Sequence, residues 1–173
     1  CAANRLGLTS VGSMEDARAM SALQALRGDS GLTIRVYQSI PADSLDLAIG
    51  LGIRTGFGDE WLRLGHLKIF ADGALGSRSA HMLAPYESEP NNTGMSIWSI
   101  DETRELITRA ARAGIACCIH AIGDAANRIV LDLYEEAGKA GLLAGLRPRI
   151  EHAQVLDAAD ILRFGRLGVV ASM

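Results

Sequence analysis

The chain has 173 residues, of which 49% are hydrophobic and 21% are charged, proportions that are ordinary for a globular domain. Its formal net charge of −3, without any block of like charges, does not favour binding to nucleic acid or to an anionic membrane surface. No uncharged apolar run approaches the roughly 18 residues that span a membrane, and the length is below the about 250 residues typical of a closed eight-stranded β/α barrel.

The two ends of the sequence predict an internal part of a longer protein. The chain begins on Cys-Ala-Ala-Asn-Arg, without Met or a signal-peptide pattern, and ends on the strand-like run Gly168–Met173. Three cysteines are an odd set, and the adjacent Cys117 and Cys118 are poor partners because neighbouring strand residues point to opposite faces. We therefore expect reduced, core-filling thiols and a cytoplasmic location.

Strand-like and helix-like segments alternate along the chain. Runs of apolar or β-branched residues predict strands, and apolar residues at helical spacing predict helices. Ser99 and Glu102 have the spacing of a capping box, and Gly114 fits the residue that ends that helix. The alternation predicts an α/β fold with a parallel sheet, either doubly wound or part of a barrel. The predicted strands lie at 7–11, 32–40, 64–70, within 115–124, at 149–155 and at 169–173, and the predicted helices at 2–6, 15–26, 43–51, 99–113, 125–137 and 157–167.

A stretch without periodicity separates the third and fourth predicted strands. Residues 72–98 contain repeated glycine, proline and asparagine residues, which interrupt regular structure. A connection of this length is uncommon in a compact domain and is typical of a lid or a binding loop. Arg78, His81 and Tyr86 are therefore candidates for contact with a substrate. Asp72 has the position of a turn residue, and contact with the site is its second candidate role.

Two histidines hold equivalent positions in consecutive strands. His120 follows the apolar run Ile115–Ile119, and His152 comes 32 residues later, after Arg-Ile-Glu. Because a strand and its crossover helix take roughly 30 residues, both histidines should lie at the carboxyl-terminal rim of the sheet, where such folds place their chemistry. One histidine alone is more often structural than a ligand. The matched pair favours a shared metal ion, and imidazole suits zinc, iron, nickel or manganese.

Lys68 is a charged residue between Leu67 and Ile69 in an apolar strand. Burial of an ammonium group is costly unless the group is paired, deprotonated or modified, although the side chain could also extend to a wet rim. A neutral amine can form a Schiff base with a carbonyl substrate, or take up CO2 to give a carbamate whose oxygens bridge two cations. With two histidines on later strands, the carbamate is the simpler hypothesis.

Two further acidic residues have structural interpretations. Asp124 follows Gly123 at the start of a predicted helix, and we expect it to be the N-cap. Glu151 precedes His152 in a strand, so its side chain should point to the opposite face, toward the covering helices, in a structural ion pair.

Four motifs resemble the amidohydrolase superfamily, and within it the amidohydrolase-3 group that includes N-substituted formamide deformylases. They are specific because all four occur in the right order and spacing, whereas none would be specific alone. The motifs are Leu67-Lys-Ile-Phe-Ala-Asp-Gly-Ala-Leu-Gly-Ser-Arg-Ser-Ala80, Ile119-His-Ala-Ile-Gly-Asp124, Arg149-Ile-Glu-His-Ala-Gln154 and Gly168-Val-Val-Ala-Ser-Met173.

The resemblance implies a partial TIM-type (β/α)8 barrel, roughly strands two to seven, with residues 1–173 as one fragment of the barrel domain. Strands one and eight and the flanking β-sandwich are then absent. By matching motifs, Lys68 resembles the carboxylated bridging lysine of strand four, and His120 and His152 resemble the metal ligands of strands five and six. The family's His-x-His pair and the Asp after strand eight, a ligand and proton shuttle, have no counterpart in the chain, so no catalytic residue is assigned within it.

The activity implied is hydrolysis of a carbon–nitrogen bond other than a peptide bond, in an amide, formamide or cyclic amide, by metal-activated hydroxide. The expected cofactors are one or two divalent ions, zinc first and iron, manganese or nickel as alternatives, with a CO2-derived carbamate on Lys68. A small molecule is the expected partner, and neither nucleic acid nor a membrane is expected. An oligomeric state is possible. The alternatives are a Schiff-base lyase or aldolase that uses Lys68, and an inactive truncated barrel fragment.

Overall fold

The computed structural model describes residues 2–29 and 31–173, so the expected reduced thiol of Cys1 lies outside the described residues. The chain divides into two compact units. The first runs up to Lys68 and includes Ala113–Ile115, and the second consists of Ile69–Arg112 and Ala116–Met173.

Parallel strand pairing organises the first unit. Strand β1 pairs with β2 and β2 pairs with β3, both in parallel, with an irregularity in the second pairing between Gln38 and Ile40. The apolar side chains of Ile34, Val36 and Leu62 form a buried cluster. The elements are α1 (Ala2–Arg5), β1 (Ser10–Ser13), α2 (Ala17–Gly28), β2 (Arg35–Pro41), a 3-10 turn (Ala42–Ser44), α3 (Leu45–Gly50) and β3 (Leu62–Phe70), whose last two residues belong to the second unit.

Strands and helices also alternate in the second unit. Strand β4 pairs with β5 and β5 pairs with β6, again in parallel. The alternation and the parallel pairing confirm the predicted α/β fold class, that of a partial TIM-type (β/α)8 barrel. The elements are α4 (Ile100–Arg112), β4 (Cys117–Ala121), α5 (Asp124–Lys139), β5 (Arg149–His152), α6 (Ala158–Leu167) and β6 (Val170–Ser172).

Two of the predicted helix ends are confirmed, and a third is wrong by one residue. The Ser99 amide donates to the Glu102 carboxylate at 2.8 Å and the Glu102 amide donates to Ser99 Oγ at 3.2 Å, which confirms the predicted capping box. Gly114 has the left-handed φ of 76° expected of a residue that ends a helix. The predicted N-cap of α5 is wrong by one residue, because Gly123 is the N-cap and Asp124 is the first helical residue. The Asp124 carboxylate instead accepts the Leu83 amide at 2.8 Å, so it anchors a loop.

Strand β4 lies at the centre of the second unit's core. All five of its residues are buried, as the continuous apolar run predicts for a strand covered on both faces. Cys117 and Cys118 are buried and neither is in a disulfide bond, which confirms the prediction for these two residues. Burial raises the pKa of the Cys117 thiol far above its usual value, so the reactive thiolate does not form near neutral pH.

None of the helices in the described part of the chain combines the length and the apolar character that crossing a membrane requires.

An ion-pair network joins α5 and α6. Asp160 on α6 is 3% exposed, and its two carboxylate oxygens lie 2.8 Å from Arg128 Nε and 2.9 Å from Arg163 Nη1. Arg163 also lies 3.1 Å from the Glu135 carboxylate on α5. Because the guanidinium groups contact carboxylates of both helices, the network fixes how the two helices pack on each other.

Glu135 should stabilise the protein near neutral pH, and this contribution should be lost in acid. Hydrogen bonds from Lys139 and then from Arg163 hold the pKa of the Glu135 carboxyl below its usual value. A lowered folded-state pKa contributes stability above the unfolded pKa of about 4.3, and that contribution is lost as the pH falls through the folded pKa. Thermal unfolding should therefore show Glu135→Gln less stable than the wild type at pH 7, with a difference that shrinks as the pH is lowered through the folded pKa of Glu135. The exposed Glu87 provides the control, since Glu87→Gln should show no such difference.

Candidate metal site and loop anchor

The side chain of His120 is held at the carboxyl end of β4. The residue is 9% exposed, and its Nε2 lies 2.9 Å from the Gly73 carbonyl oxygen and 3.5 Å from Asp72 Oδ1. A carbonyl oxygen only accepts hydrogen bonds, so Nε2 carries the hydrogen in this contact. The neutral ring then has its lone pair on Nδ1, and this is the tautomer able to bind a metal through Nδ1.

The ring of His152 lies beside that of His120. The two ring centroids are 4.7 Å apart, and the ring planes make an angle of 73°. The centroid of the Phe70 ring lies 5.3 Å from that of His120. The structure therefore brings together the two histidines that the sequence singles out. His152 is exposed at the end of β5, whereas His120 is buried. Their role as metal ligands stays a prediction.

A departure from strand geometry places the His152 ring. In the β4–β5 register His120 is paired with Glu151, and His152 is paired with Ala121. Continued strand geometry would send the His152 side chain to the opposite face of the sheet from His120. His152 instead has a φ of 75° and Ala153 a φ of 43°, both left-handed. The backbone turns at this point, and this turn brings the His152 ring next to the His120 ring.

The predicted orientation of Glu151 is wrong, because it assumed that strand alternation continues up to His152. Because Glu151 is the register partner of His120, its side chain leaves the sheet on the His120 face and not on the opposite one. The predicted ion pair is confirmed, since Arg149 Nε lies 2.8 Å from Glu151 Oε1. Arg149 also donates to Ser172 Oγ at 2.6 Å. Polar side chains of β5 and β6 therefore form a connected group beside His120.

Asp72 joins the loop after β3 to the end of β4. The residue is 1% exposed. Its Oδ1 accepts the Ile122 amide at 3.0 Å, and its Oδ2 accepts the amides of Gly123 at 2.8 Å and His81 at 2.9 Å. Three backbone donors thus converge on one buried carboxylate, which also lies next to His120. The sequence indicated only a turn residue here, and the predicted substrate contact of Asp72 stays a prediction.

The middle of the loop caps helix α5. The His81 carbonyl accepts the amides of Ala125 at 3.1 Å and Ala126 at 3.3 Å, which are among the first donors of α5. A Cβ on Gly123 would come 2.0 Å from that carbonyl oxygen, so only glycine allows this approach. The loop has no helix or ladder strand within residues 71–99, only turns and isolated bridges, as predicted. It lies against the carboxyl end of β4, the end that bears His120.

The loop residues proposed to meet a substrate contact the loop itself. Arg78 has a left-handed φ of 50°, forms an ion pair with Glu89, and is half exposed. The Asn92 side chain donates to the Arg78 carbonyl at 3.1 Å, and the Tyr86 hydroxyl donates to the Ala80 carbonyl at 3.0 Å. These contacts hold the loop in one shape. The substrate contacts of Arg78, His81 and Tyr86 stay predictions.

Lys68 is buried in β3, as its position in an apolar strand requires. It is 6% exposed, and the adjacent Leu67 and Ile69 are both 0% exposed. In the β2–β3 register it is paired with Pro41. The backbone therefore holds the lysine within the strand and not in a flexible loop.

The family model that matches the sequence covers residues 2–173 and describes the amidohydrolase family. The chain belongs to the amidohydrolase family. This confirms the resemblance inferred from the four motifs.

Similar proteins agree with this membership. The chain is 43% identical over 114 residues to the protein LONG AFTER FAR-RED 3 of Arabidopsis thaliana, which is 66% of this chain and 20% of that protein. It is 32% identical over 108 residues to the N-substituted formamide deformylase of Arthrobacter pascens, covering 62% of this chain and 19% of the enzyme. The crystal structure of an uncharacterized metal-dependent hydrolase from Pyrococcus horikoshii matches with a TM-score of 0.86 and 29% identity, over 98% of this chain and 34% of that one. The matched part of the chain thus spans about a fifth of the length of these two relatives and about a third of the solved hydrolase.

The donor atoms of the amidohydrolase chain suit a divalent ion only in part. In the described residues, no three His, Cys, Asp or Glu side chains form a group that could hold a metal ion. Two adjacent imidazoles are present, and the hydrogen bond from His120 Nε2 to Gly73 sets the tautomer of one of them. Such a bond from the second ring nitrogen is what orients metal-binding histidines in proteins. Two histidines do not complete the ligands of a metal ion, so the metal-binding role of the pair stays a prediction.

Proposed function

We propose that this chain is part of a metal-dependent hydrolase that cleaves the carbon–nitrogen bond of a small amide, formamide or cyclic amide. The single observation that supports it most is the contact between His120 and His152, whose rings lie 4.7 Å apart at the ends of consecutive parallel strands. Adjacent strand ends are where α/β folds place their chemistry, and imidazole pairs bind divalent metals. The names of the relatives support the class of reaction.

The chain's own residues would divide the work as follows. His120, through Nδ1, and His152 would hold one or two divalent ions, with zinc as the first candidate, and a carbamate on Lys68 would add anionic oxygen ligands. When bound, such an ion lowers the pKa of water toward 7 and polarises a carbonyl. Asp72 and the Gly73 carbonyl would keep the His120 ring in place. Arg78, in the loop after β3, is the residue that we propose contacts the substrate.

We further propose that the partner is a small-molecule substrate, without nucleic acid or membrane and with an oligomer still open, and that the protein works in the cytoplasm. Buried, reduced Cys117 and Cys118 support a reducing compartment. A Schiff-base mechanism on Lys68 is the second candidate, because Lys68 is a buried amine and a neutral lysine can attack a carbonyl substrate. Borohydride reduction in the presence of substrate would trap a covalent adduct on Lys68 only in that case.

The intact protein should lose its metal when either histidine is replaced. In His120→Ala and His152→Ala, metal retained after dialysis should fall at least tenfold, and hydrolysis of simple formamides should fall with it, because a lost ligand nitrogen is not replaced by its neighbours. Metal analysis by mass spectrometry measures the first effect.

His66→Phe is the matched control for these variants. His66 is a buried histidine of β3 that packs edge-on against Tyr37, and phenylalanine preserves that packing. This variant should keep its metal. If His120→Ala and His152→Ala also kept metal and turnover, the proposed function would be wrong.

A further inference from the structure

Asn127 is a buried amide in the first turns of α5 whose donors all point to backbone carbonyls. The residue is 0% exposed. Its Nδ2, which carries two hydrogens, lies 2.9 Å from the Gly123 carbonyl oxygen and 3.2 Å from those of Ala121 and Val155, so one N–H is shared between two acceptors. All three partners are acceptors, so the orientation of the amide is determined by them. Its Oδ1 has no hydrogen-bond partner among the described residues.

An unpartnered buried acceptor is unfavourable, so the contacts of Nδ2 with the three carbonyl oxygens need to be worth more than that cost. They connect two particular segments. Ala121 directly follows His120, and Val155 comes three residues after His152. The Val155 amide also donates to the Ile122 carbonyl at 2.9 Å. Asn127 therefore fastens the chain that leaves one histidine to the chain that leaves the other.

The segment after His152 needs such a restraint. His152 and Ala153 are consecutive left-handed residues, and neither is glycine. Conformations of this kind persist only where surrounding structure imposes them, and they concentrate at functional sites. The bonds that Asn127 and Ile122 make to Val155 hold the far end of this turn. Without them, the turn can relax toward ordinary strand geometry, which would carry the His152 ring away from the His120 face.

We propose that Asn127 is a positioning residue for the histidine pair, and that it sets the affinity of the pair for a divalent metal without touching the metal. The inference rests on the proposed function, since it concerns the same two histidines. Its sequence signal was weak, because a polar residue near the start of a helix is ordinary on a protein surface.

Tyr134 offers a matched control in the same helix. Its hydroxyl is buried and lies 3.2 Å from the Cys117 carbonyl oxygen and 3.1 Å from that of Arg149, which share its single hydrogen. It thus joins the same two strands, β4 and β5, at their amino-terminal ends. Tyr134→Phe removes a comparable buried connection but leaves the histidine ends of the strands untouched.

The experiment compares Asn127→Leu, Asn127→Ser and Tyr134→Phe in the intact protein, loaded with Co²⁺ as the probe metal. Two quantities are measured: the dissociation constant by competition with a coloured chelator, and the visible absorption spectrum of the bound cobalt, which reports ligand geometry. Asn127→Leu should weaken binding about 10- to 100-fold and change the spectrum, as loss of an orienting partner does at metal sites. Asn127→Ser, which keeps one donor, should give a smaller loss. Tyr134→Phe should bind within about twofold of the wild type with an unchanged spectrum.

The outcomes separate the two hypotheses. A wild-type protein that binds no Co²⁺ overturns the proposed function. A wild-type protein that binds Co²⁺, together with a folded Asn127→Leu or Asn127→Ser variant of unchanged affinity and spectrum, overturns the role of Asn127 alone. Equal losses in Tyr134→Phe and the Asn127 variants would also overturn it, because they would show general loosening of the strands. If Asn127→Leu does not fold, the comparison of Asn127→Ser with Tyr134→Phe decides.

Discussion

Replacement of Lys68 by alanine in the intact protein should remove bound metal and lower turnover by about three orders of magnitude. Lys68 is 6% exposed inside an apolar strand, and we propose that its nitrogen carries the carbamate that completes the metal ligands. Loss of the ion removes several kcal/mol of transition-state stabilisation, which corresponds to a fall of roughly a thousandfold. Metal content and formamide hydrolysis, measured on the same samples, test both parts.

A pair of variants separates loss of the carbamate from damage to the core. Lys68→Ala leaves a space in which formate or acetate can supply a carboxylate, so these acids should restore part of the metal and the activity. Lys68→Met fills the space with an apolar chain of similar length, so it should fold, lack metal and show no response to the acids. A Lys68→Ala protein with normal metal content and turnover would exclude the carbamate.

Replacement of Asp72 by alanine should lower the free energy of unfolding by about 3 to 5 kcal/mol. The buried carboxylate accepts three backbone amides, and each donor left unpaired costs about 1 to 3 kcal/mol. Asp72→Asn keeps one acceptor oxygen and should lose about half as much. Denaturant unfolding gives the free energies, and cleavage by a protease within residues 73–97 reports release of the loop.

Asp124→Ala is the appropriate comparison for Asp72→Ala. Asp124 anchors the same loop through the amide of Leu83, but it is less buried and holds only that one loop donor. Its loss should cost about 1 kcal/mol and leave the loop resistant to protease. Equal effects of the two substitutions would show that the convergence of three donors on Asp72 adds no stability beyond that of one donor.

The elements around His120 were predictable from the sequence because several local signals agree there. A continuous apolar run predicts a strand that is covered on both faces, and all residues of β4 are buried. The Ser99 and Glu102 pair marks the start of α4 from side-chain chemistry alone. The spacing of His120 and His152 matches one strand and one crossover helix, and their rings meet.

The parts that were not predictable depend on contacts between distant residues or on backbone conformation. Strand alternation placed Glu151 on the wrong face, because the register of β4 with β5 and the left-handed turn at His152 are not visible in a local pattern. The three amides on Asp72 come from residues 9, 50 and 51 positions away. Asn127 looked like any polar helix residue for the same reason.

In the hydrolase that we propose, the loop after β3 would form a wall beside the substrate. Its turns are held by Asp72, by the ion pair of Arg78 with Glu89, and by the hydroxyl of Tyr86. A wall built this way is already formed before any ligand arrives, so little ordering entropy is lost on association. Turnover should then be independent of solvent viscosity wherever product leaves quickly, in contrast to enzymes whose lids must open in each cycle. Changes in substrate preference would come from exchange of side chains on a fixed wall and not from altered hinge motion.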